Sequence, residues 1–146
     1  MIDYAKLFVN SPNALDGNRV EKCDTASAKF QSEETGLVDY AGSEEDIFAQ
    51  IRDLVSVLPA NNEDDTYYAE SEDDLNRVCA DLANCVGDTS ILLSNIADDN
   101  LFIETKAAYA KEMVTGFLRL NGQTVGAVAN RTEVYDAEGT KTDSFD

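Results

Sequence analysis

The chain reads as an α+β protein with about three helices and a small antiparallel sheet. Two observations predict this. Ile47, Phe48, Ile51, Leu54, Val55 and Leu58 recur at three- and four-residue intervals, which draws one apolar stripe down a helix. Met113–Leu120 and Gln123–Asn130 are two runs of equal length separated by Asn121-Gly122, the pair that a type I′ hairpin turn prefers because both central residues need positive φ.

The helix over 43–58 has defined ends. Ser43 with Asp46 three residues on forms a capping box, Asp standing in for the usual Glu or Gln. Glu44, Glu45 and Asp46 place negative charge in the first turn, where the helix dipole favours it. Pro59 ends the helix because the residue before proline avoids helical backbone angles. Asn61-Asn62-Glu63-Asp64-Asp65 follows as a polar connector whose asparagines cap local backbone. Ser71 is read as the cap of a second helix with Leu75, Val78, Cys79, Leu82 and Val86 as its stripe and Gly87 as its stop. On that helix Cys79 and Cys85 fall on different faces. Asp88 opens a third, shorter helix through Ile91, Leu92 and Ile96. Asp98-Asp99-Asn100 turns the chain into a strand at Leu101–Glu104.

In the hairpin, Val125, Ala127 and Ala129 alternate with Thr124, Gly126 and Val128. A strand apolar on both faces predicts a sheet covered on both sides. Tyr4–Val9 and Gly36–Tyr40 read as short extended pieces, with turns at Ser11-Pro12-Asn13 and Leu15–Asn18 between them. Residues 19–32 show no period. The tail, Thr132–Asp146, reads as polar, with a turn at Ala137-Glu138-Gly139 and no completed element.

Charge narrows the function classes. The 146 residues carry 11 Lys+Arg, 29 Asp+Glu and no histidine, a net charge of −18. Residues 41–100 alone hold 15 acids and 2 bases. That balance disfavours nucleic acid, which needs a basic face, and an anionic membrane surface. No stretch approaches the roughly 18 apolar residues of a membrane span, so direct membrane insertion is not expected. The N-terminus lacks the apolar core of a secretory signal, and Cys23, Cys79 and Cys85 make an odd set without CxxC spacing. A cytoplasmic, reduced chain is the expectation. The missing histidine removes the usual general base and the commonest zinc ligand. Asp64-Asp65 and Asp98-Asp99 read as solvated turns, not metal or acid–base pairs, because ligands of other types do not converge on them. No metal site and no catalytic residue is assigned.

Three blocks of the sequence resemble one family. Leu58-Pro59-Ala60-Asn61-Asn62 after an amphipathic helix is similar to the central linker of biotin-dependent acyl-CoA carboxyltransferase subunits. Ile96-Ala97-Asp98-Asp99-Asn100-Leu101-Phe102-Ile103-Glu104 continues the likeness. It is strongest from Tyr109-Ala110 through Met113-Val114-Thr115-Gly116-Phe117 and Asn121-Gly122 to Val125-Gly126-Ala127-Val128-Ala129-Asn130. Leu7-Phe8-Val9 with Pro12, and Glu34–Asp39, fit more loosely. The family includes propionyl-CoA carboxylase β, methylmalonyl-CoA decarboxylase α and transcarboxylase large subunits, and the resemblance covers roughly residues 5–131.

The resemblance implies an α+β fragment of an α/β crotonase-like (ClpP/crotonase) carboxyltransferase. Residues 1–42 would end the first crotonase-like half, 43–100 form a helical, acidic linker region, and 101–146 open the second half. It implies a central segment of a subunit that moves a carboxyl group between biotin and an acyl-CoA of the propionyl or methylmalonyl type. Biotin and a coenzyme A thioester belong to the full enzyme and none is bound by this fragment. The implied partners are other carboxyltransferase subunits, in a homo-oligomer, and a biotin carrier protein. The family stabilises its two oxyanions with backbone N–H groups of Gly-rich turns. Here the eight glycines are isolated, so the chain alone is expected to be catalytically silent, as a truncated or split-gene piece.

Ala129, Asn130 and Tyr109 are the residues this family reading places along a biotin or acyl-CoA pocket. Asn130 has a second reading, a turn asparagine that satisfies its own backbone. Tyr109, with Lys111, has one as an exposed loop with a packed ring. Two other functions stay open: a non-catalytic interaction or scaffold module, and an unrelated acidic domain.

Overall fold

The computed structural model describes residues 1–10, 24–64, 69–80 and 82–145. The turns read at 11–13 and 15–18, together with Cys23 and Asp65, lie outside the described residues. The rest forms two compact units: Met1–Ile51 with Lys106–Ala110, and Arg52–Thr105 with Lys111–Asp146.

In the first unit, α1 spans Ala28–Glu33 and is capped by Ser27, whose hydroxyl accepts from Phe30 N at 3.2 Å. A 3-10 turn, Asp24–Ala26, leads into it. The aperiodic stretch 19–32 thus contains a one-and-a-half-turn helix too short to write a stripe. Buried Gln31 organises this unit. Its Nε2 donates to Thr25 O at 2.8 Å, and its Oε1 accepts from the Thr35 hydroxyl at 2.7 Å.

Neither extended piece read here becomes a strand. Residues 4–9 make only a single bridge, Lys6 to Ser27, and Tyr4 and Val9 point into solvent. Residues 36–40 form a loop tied by Val38 N to Gln31 O at 3.2 Å. Apolar character alone did not make a ladder, because no neighbouring strand offers partners.

The first unit also holds the opening of α2, Glu44–Val57. The capping box is realised with aspartate: Asp46 N donates to Ser43 Oγ at 3.2 Å and that hydroxyl donates to Asp46 Oδ2 at 2.6 Å. The stripe, however, does not face a core. Phe48, Ile51 and Val55 are 54%, 49% and 62% exposed, and Val57 is the buried residue of the helix. Beyond it, Asn61 Oδ1 accepts from Glu63 N and Asp64 N at 2.8 and 3.1 Å, the capping role read for the connector.

In the second unit the helix expected from Ser71 is absent. Leu75, Val78 and Val86 are exposed, and the only helical element there among the described residues is the 3-10 turn Leu82–Asn84. Two interactions outcompete it. Asp74 Oδ1 accepts from Asn76 N at 2.9 Å, an Asx turn that diverts the backbone. Arg77 pairs with Asp73 at 3.0 Å while its guanidinium donates to Asn95 O at 2.6 Å and Ala97 O at 2.7 Å, which caps the C-terminal end of the next helix. That helix, α3, Thr89–Ile96, starts where the sequence placed it, with Asp88 as N-cap.

The sheet is β1 (Phe102–Thr105), β2 (Met113–Leu120) and β3 (Gln123–Asn130), antiparallel in that order. β2 and β3 pair from Met113↔Asn130 to Leu120↔Gln123. Asn121 and Gly122 take φ of 52° and 79°, the type I′ turn. Ile103, Val114 and Leu118, with Val57 and Ala97, are the buried apolar residues of this unit. The expectation of cover on both faces fails for β3. It is an edge strand, with Val128 74% exposed. The tail also departs from its reading: β4 (Glu133–Tyr135) and β5 (Lys141–Ser144) form a second hairpin around the expected turn at Gly139.

Asp98, expected in a solvated turn, is instead 6% exposed. Its two carboxylate oxygens accept from Asn121 N at 2.9 Å and Gly122 N at 2.6 Å, so it holds the hairpin turn from below. Burial pushes this carboxyl up, but the two N–H donors, the Ser71 hydroxyl and the Arg119 charge together bring it below its ordinary value.

Two substitutions test this packing. A Cβ on Gly116 would sit 2.2 Å from Ile103 O and 2.8 Å from the Phe102 ring. Gly116→Ala is therefore expected to destabilise the chain by about 1–3 kcal/mol in urea unfolding, with loss of the β1–β2 ladder. Asp98→Asn is expected to cost about 1–3 kcal/mol at pH 7. Because the folded-state pKa of Asp98 is depressed, its contribution is present above the ordinary value of 3.8 and fades as pH falls through the folded value. The gap between wild type and variant should close on acidification; a gap independent of pH counts against the latch.

Candidate functional site

The candidate pocket residues Ala129 and Asn130 end β3, and the structure builds its densest charge cluster just beyond them. Arg131 is 5% exposed and Asp88 3%. Arg131 Nη1 lies 3.2 Å from Glu104 Oε1 on β1 and 3.6 Å from Asp88 Oδ1 at the start of α3. Its Nε donates to Lys111 O.

The Asp88 carboxylate accepts three further hydrogen bonds. Its Oδ1 accepts from Ser90 N and the Ser90 hydroxyl at 3.2 and 2.7 Å, capping α3. Its Oδ2 accepts from Tyr135 N at 3.1 Å, which ties β4 to the helix. The adjacent Gly87 carbonyl accepts from Thr132 N and Glu133 N at 3.0 and 2.9 Å. Gly87 thus receives the chain leaving β3; it does not stop a helix.

Two carboxylates share one guanidinium. Burial raises the Glu104 carboxyl, the nearby Asp88 charge adds to the rise, and Arg131 opposes both; the net is upward from 4.5. Glu104 also lines an open cleft of about 310 Å³ with Ser90, Ser94 and Asn95. A tertiary clamp of this kind fixes where the β3 end points, because removing Arg131 leaves Asp88 and Glu104 without their counter-charge.

Asn130 is exposed and pairs with Met113; its carbonyl accepts from the Thr89 hydroxyl at 2.9 Å. Ala129 is half-buried opposite Val114. Tyr109 belongs to the other compact unit, where its ring lies against Gly36 (φ 63°), so close that a Cβ there would meet the ring at 2.6 Å. In that unit Lys106 donates to Gly36 O and pairs with Asp39 at 3.1 Å, which moors the loop carrying Tyr109. Lys111 pairs with Asp143 at 2.9 Å. Arg131 was not singled out from the sequence: a lone arginine after a strand carries no signal of burial. Glu104 sat inside the family-like run without an assigned role. No group of three or more Cys, Asp or Glu is placed to hold a metal ion among the described residues.

Arg131→Met should lower stability by about 3–5 kcal/mol in denaturant unfolding, since buried Asp88 and half-buried Glu104 lose their counter-charge. Adding Glu104→Gln should recover part of that loss, and additive effects of the two changes speak against a shared cluster. Glu104→Gln alone has a pH signature. A raised folded-state pKa favours folding at low pH, and that advantage is lost as pH rises through the folded value. The variant should therefore gain stability relative to wild type as pH rises from 4 towards neutrality (about two units above the usual carboxylate range).

Comparison with known proteins places the chain. Residues 2–143 match the family model described as the carboxyl transferase domain. The methylmalonyl-CoA decarboxylase subunit alpha of Veillonella parvula is 29% identical over 141 residues, covering 89% of this chain and 28% of that protein. The propionyl-CoA carboxylase carboxyltransferase subunit of Haloferax mediterranei is 31% identical over 143 residues, covering 90% and 28%. A crystal structure of transcarboxylase 12S, with methylmalonyl-coenzyme A and methylmalonic acid bound, superposes with a TM-score of 0.76 at 26% identity, again over 90% of this chain and 28% of that one. The chain spans somewhat over a quarter of the length of these relatives. With an α+β fold that superposes on part of crotonase-like transcarboxylase 12S, it belongs to the carboxyl transferase domain family.

Proposed function

We propose that this chain is the central segment of a carboxyltransferase subunit that moves a carboxyl group between biotin and an acyl-CoA of the propionyl or methylmalonyl type. The observation that carries the reading is the family match across residues 2–143, joined to the fold likeness with transcarboxylase 12S. Residues 1–42 close the first crotonase-like half, 43–100 link the halves, and 101–146 open the second. Within that frame Ala129 and Asn130, held by the Arg131 clamp, line the edge of the biotin or acyl-CoA pocket; Tyr109, packed on Gly36 in its own unit, carries the same assignment by family resemblance alone.

This segment binds neither biotin nor coenzyme A by itself. In support, Arg77, Lys111, Arg131 and Lys141 are each already paired with a carboxylate, which leaves them ill-suited to coenzyme A phosphates. The partners are further carboxyltransferase subunits in a homo-oligomer and a biotin carrier protein, in the cytoplasm; a transferase or ligase activity belongs to that assembly. The exposed apolar residues of α2 and β3 fit a segment that meets more protein. A scaffold module that keeps the linker and hairpin without catalysis is the competing reading.

A chimaera separates them. Residues 2–143 replace the matching segment of a propionyl-CoA carboxylase carboxyltransferase subunit, and carboxyl transfer from biotin to propionyl-CoA is measured alongside oligomeric state. The expected result is an assembled enzyme that retains turnover, while the isolated chain shows none. Assembly without turnover supports the scaffold reading, and turnover by the isolated chain refutes the assignment as a segment.

A further inference from the structure

The helix that would separate Cys79 and Cys85 onto different faces does not form among the described residues. In the structure both thiols converge on one residue of α3. The Cys79 thiol donates to the Asn95 carbonyl at 3.5 Å, and Asn95 Nδ2 donates to Cys85 Sγ at 3.5 Å. Both cysteines are half-buried. Cys79 also lines an open cleft of about 190 Å³ with Arg77, Asp73 and Asn121, so a small reagent reaches it from solvent. Arg77 Nη1 donates to its sulfur at 3.4 Å. The 3-10 turn Leu82–Asn84, closed by Cys85 N on Leu82 O at 3.1 Å, bends the chain back between the two.

We propose that Cys79 and Cys85 form a dithiol redox site, with Asn95 as the shared seat, that closes to an intramolecular disulfide when it meets a low-molecular-weight disulfide. The inference is independent of the carboxyltransferase reading. Cys79, the thiol facing the cleft, attacks the reagent's S–S bond. A mixed disulfide forms and one reagent thiol leaves. Cys85 then attacks the Cys79 sulfur, the Cys79–Cys85 bond forms, and the second reagent thiol leaves. The protein dithiol is oxidised by two electrons, the reagent disulfide is reduced to two thiols, and the two cysteine protons pass to them. The bridge takes Cys79 away from the carbonyl that Arg77 also holds, so closure acts on the cap of α3.

The test uses the full chain carrying Cys23→Ser, treated with oxidised glutathione and followed by intact mass. The expected product has lost two hydrogens and carries no glutathione. It should form at least about tenfold faster in the folded chain than in urea, because the fold seats both thiols on Asn95, Cys79 at its carbonyl and Cys85 at its side-chain amide. Adding Cys85→Ser should leave a stable glutathione adduct on Cys79. Peptide mapping of the unsubstituted chain, which needs no variant, should find the 79–85 crosslink ahead of any involving Cys23. Two glutathione adducts without a bridge, equal rates in the folded and unfolded chain, or a dominant Cys23 crosslink overturns the proposal.

Discussion

The second unit depends on one guanidinium held between two carboxylates inside it. Asp88 and Glu104 arrive from the start of α3 and from β1; Arg131 arrives from the end of β3. An uncompensated ion at such depth costs several kcal/mol, so the three elements cannot separate without exposing the imbalance. Asp88 spreads the constraint further by capping α3 and accepting from the Tyr135 backbone. Four elements of the unit thus meet at one buried charge balance. Apolar packing there is thin: among the described residues the buried apolar side chains are few and include alanine. A small core of that kind leaves register and orientation to directional polar contacts.

Asp98 performs the same service at the opposite end of the β2–β3 hairpin. It accepts from both N–H groups of the turn, while Arg131 secures the strand end. The hairpin is pinned at its tip and at its base by buried charges on other elements. Ala129 and Asn130 lie at the β3 end. Its position is inherited from the clamp rather than from the strand, which presents an open edge and an exposed Val128.

The family relationship explains why several locally well-written features have no local purpose. The α2 stripe is a regular amphipathic pattern, yet Phe48, Ile51 and Val55 remain open. β3 is apolar on both faces but covered on neither along its full length. Open apolar patterns of this kind fit packing against further protein surface. The relatives are between three and four times longer than the stretch matched here.

What the sequence determined by itself are the elements with local causes. The Ser43–Asp46 box, the Asp88 cap and the Asn121-Gly122 turn each rest on residues a few positions apart, and each formed where the spacing put it. The family blocks were legible for the same reason, as runs of contiguous residues. Tertiary structure alone decided the rest. Ser71–Val86 has a helical period, but an Asx turn at Asp74 and the reach of Arg77 to the end of α3 hold it in another form. Asp98 and Arg131 look like surface residues until elements more than twenty positions away close over them. A charge is buried or solvated according to what long-range contacts bring to it, and periodicity, propensity and spacing carry no record of those contacts.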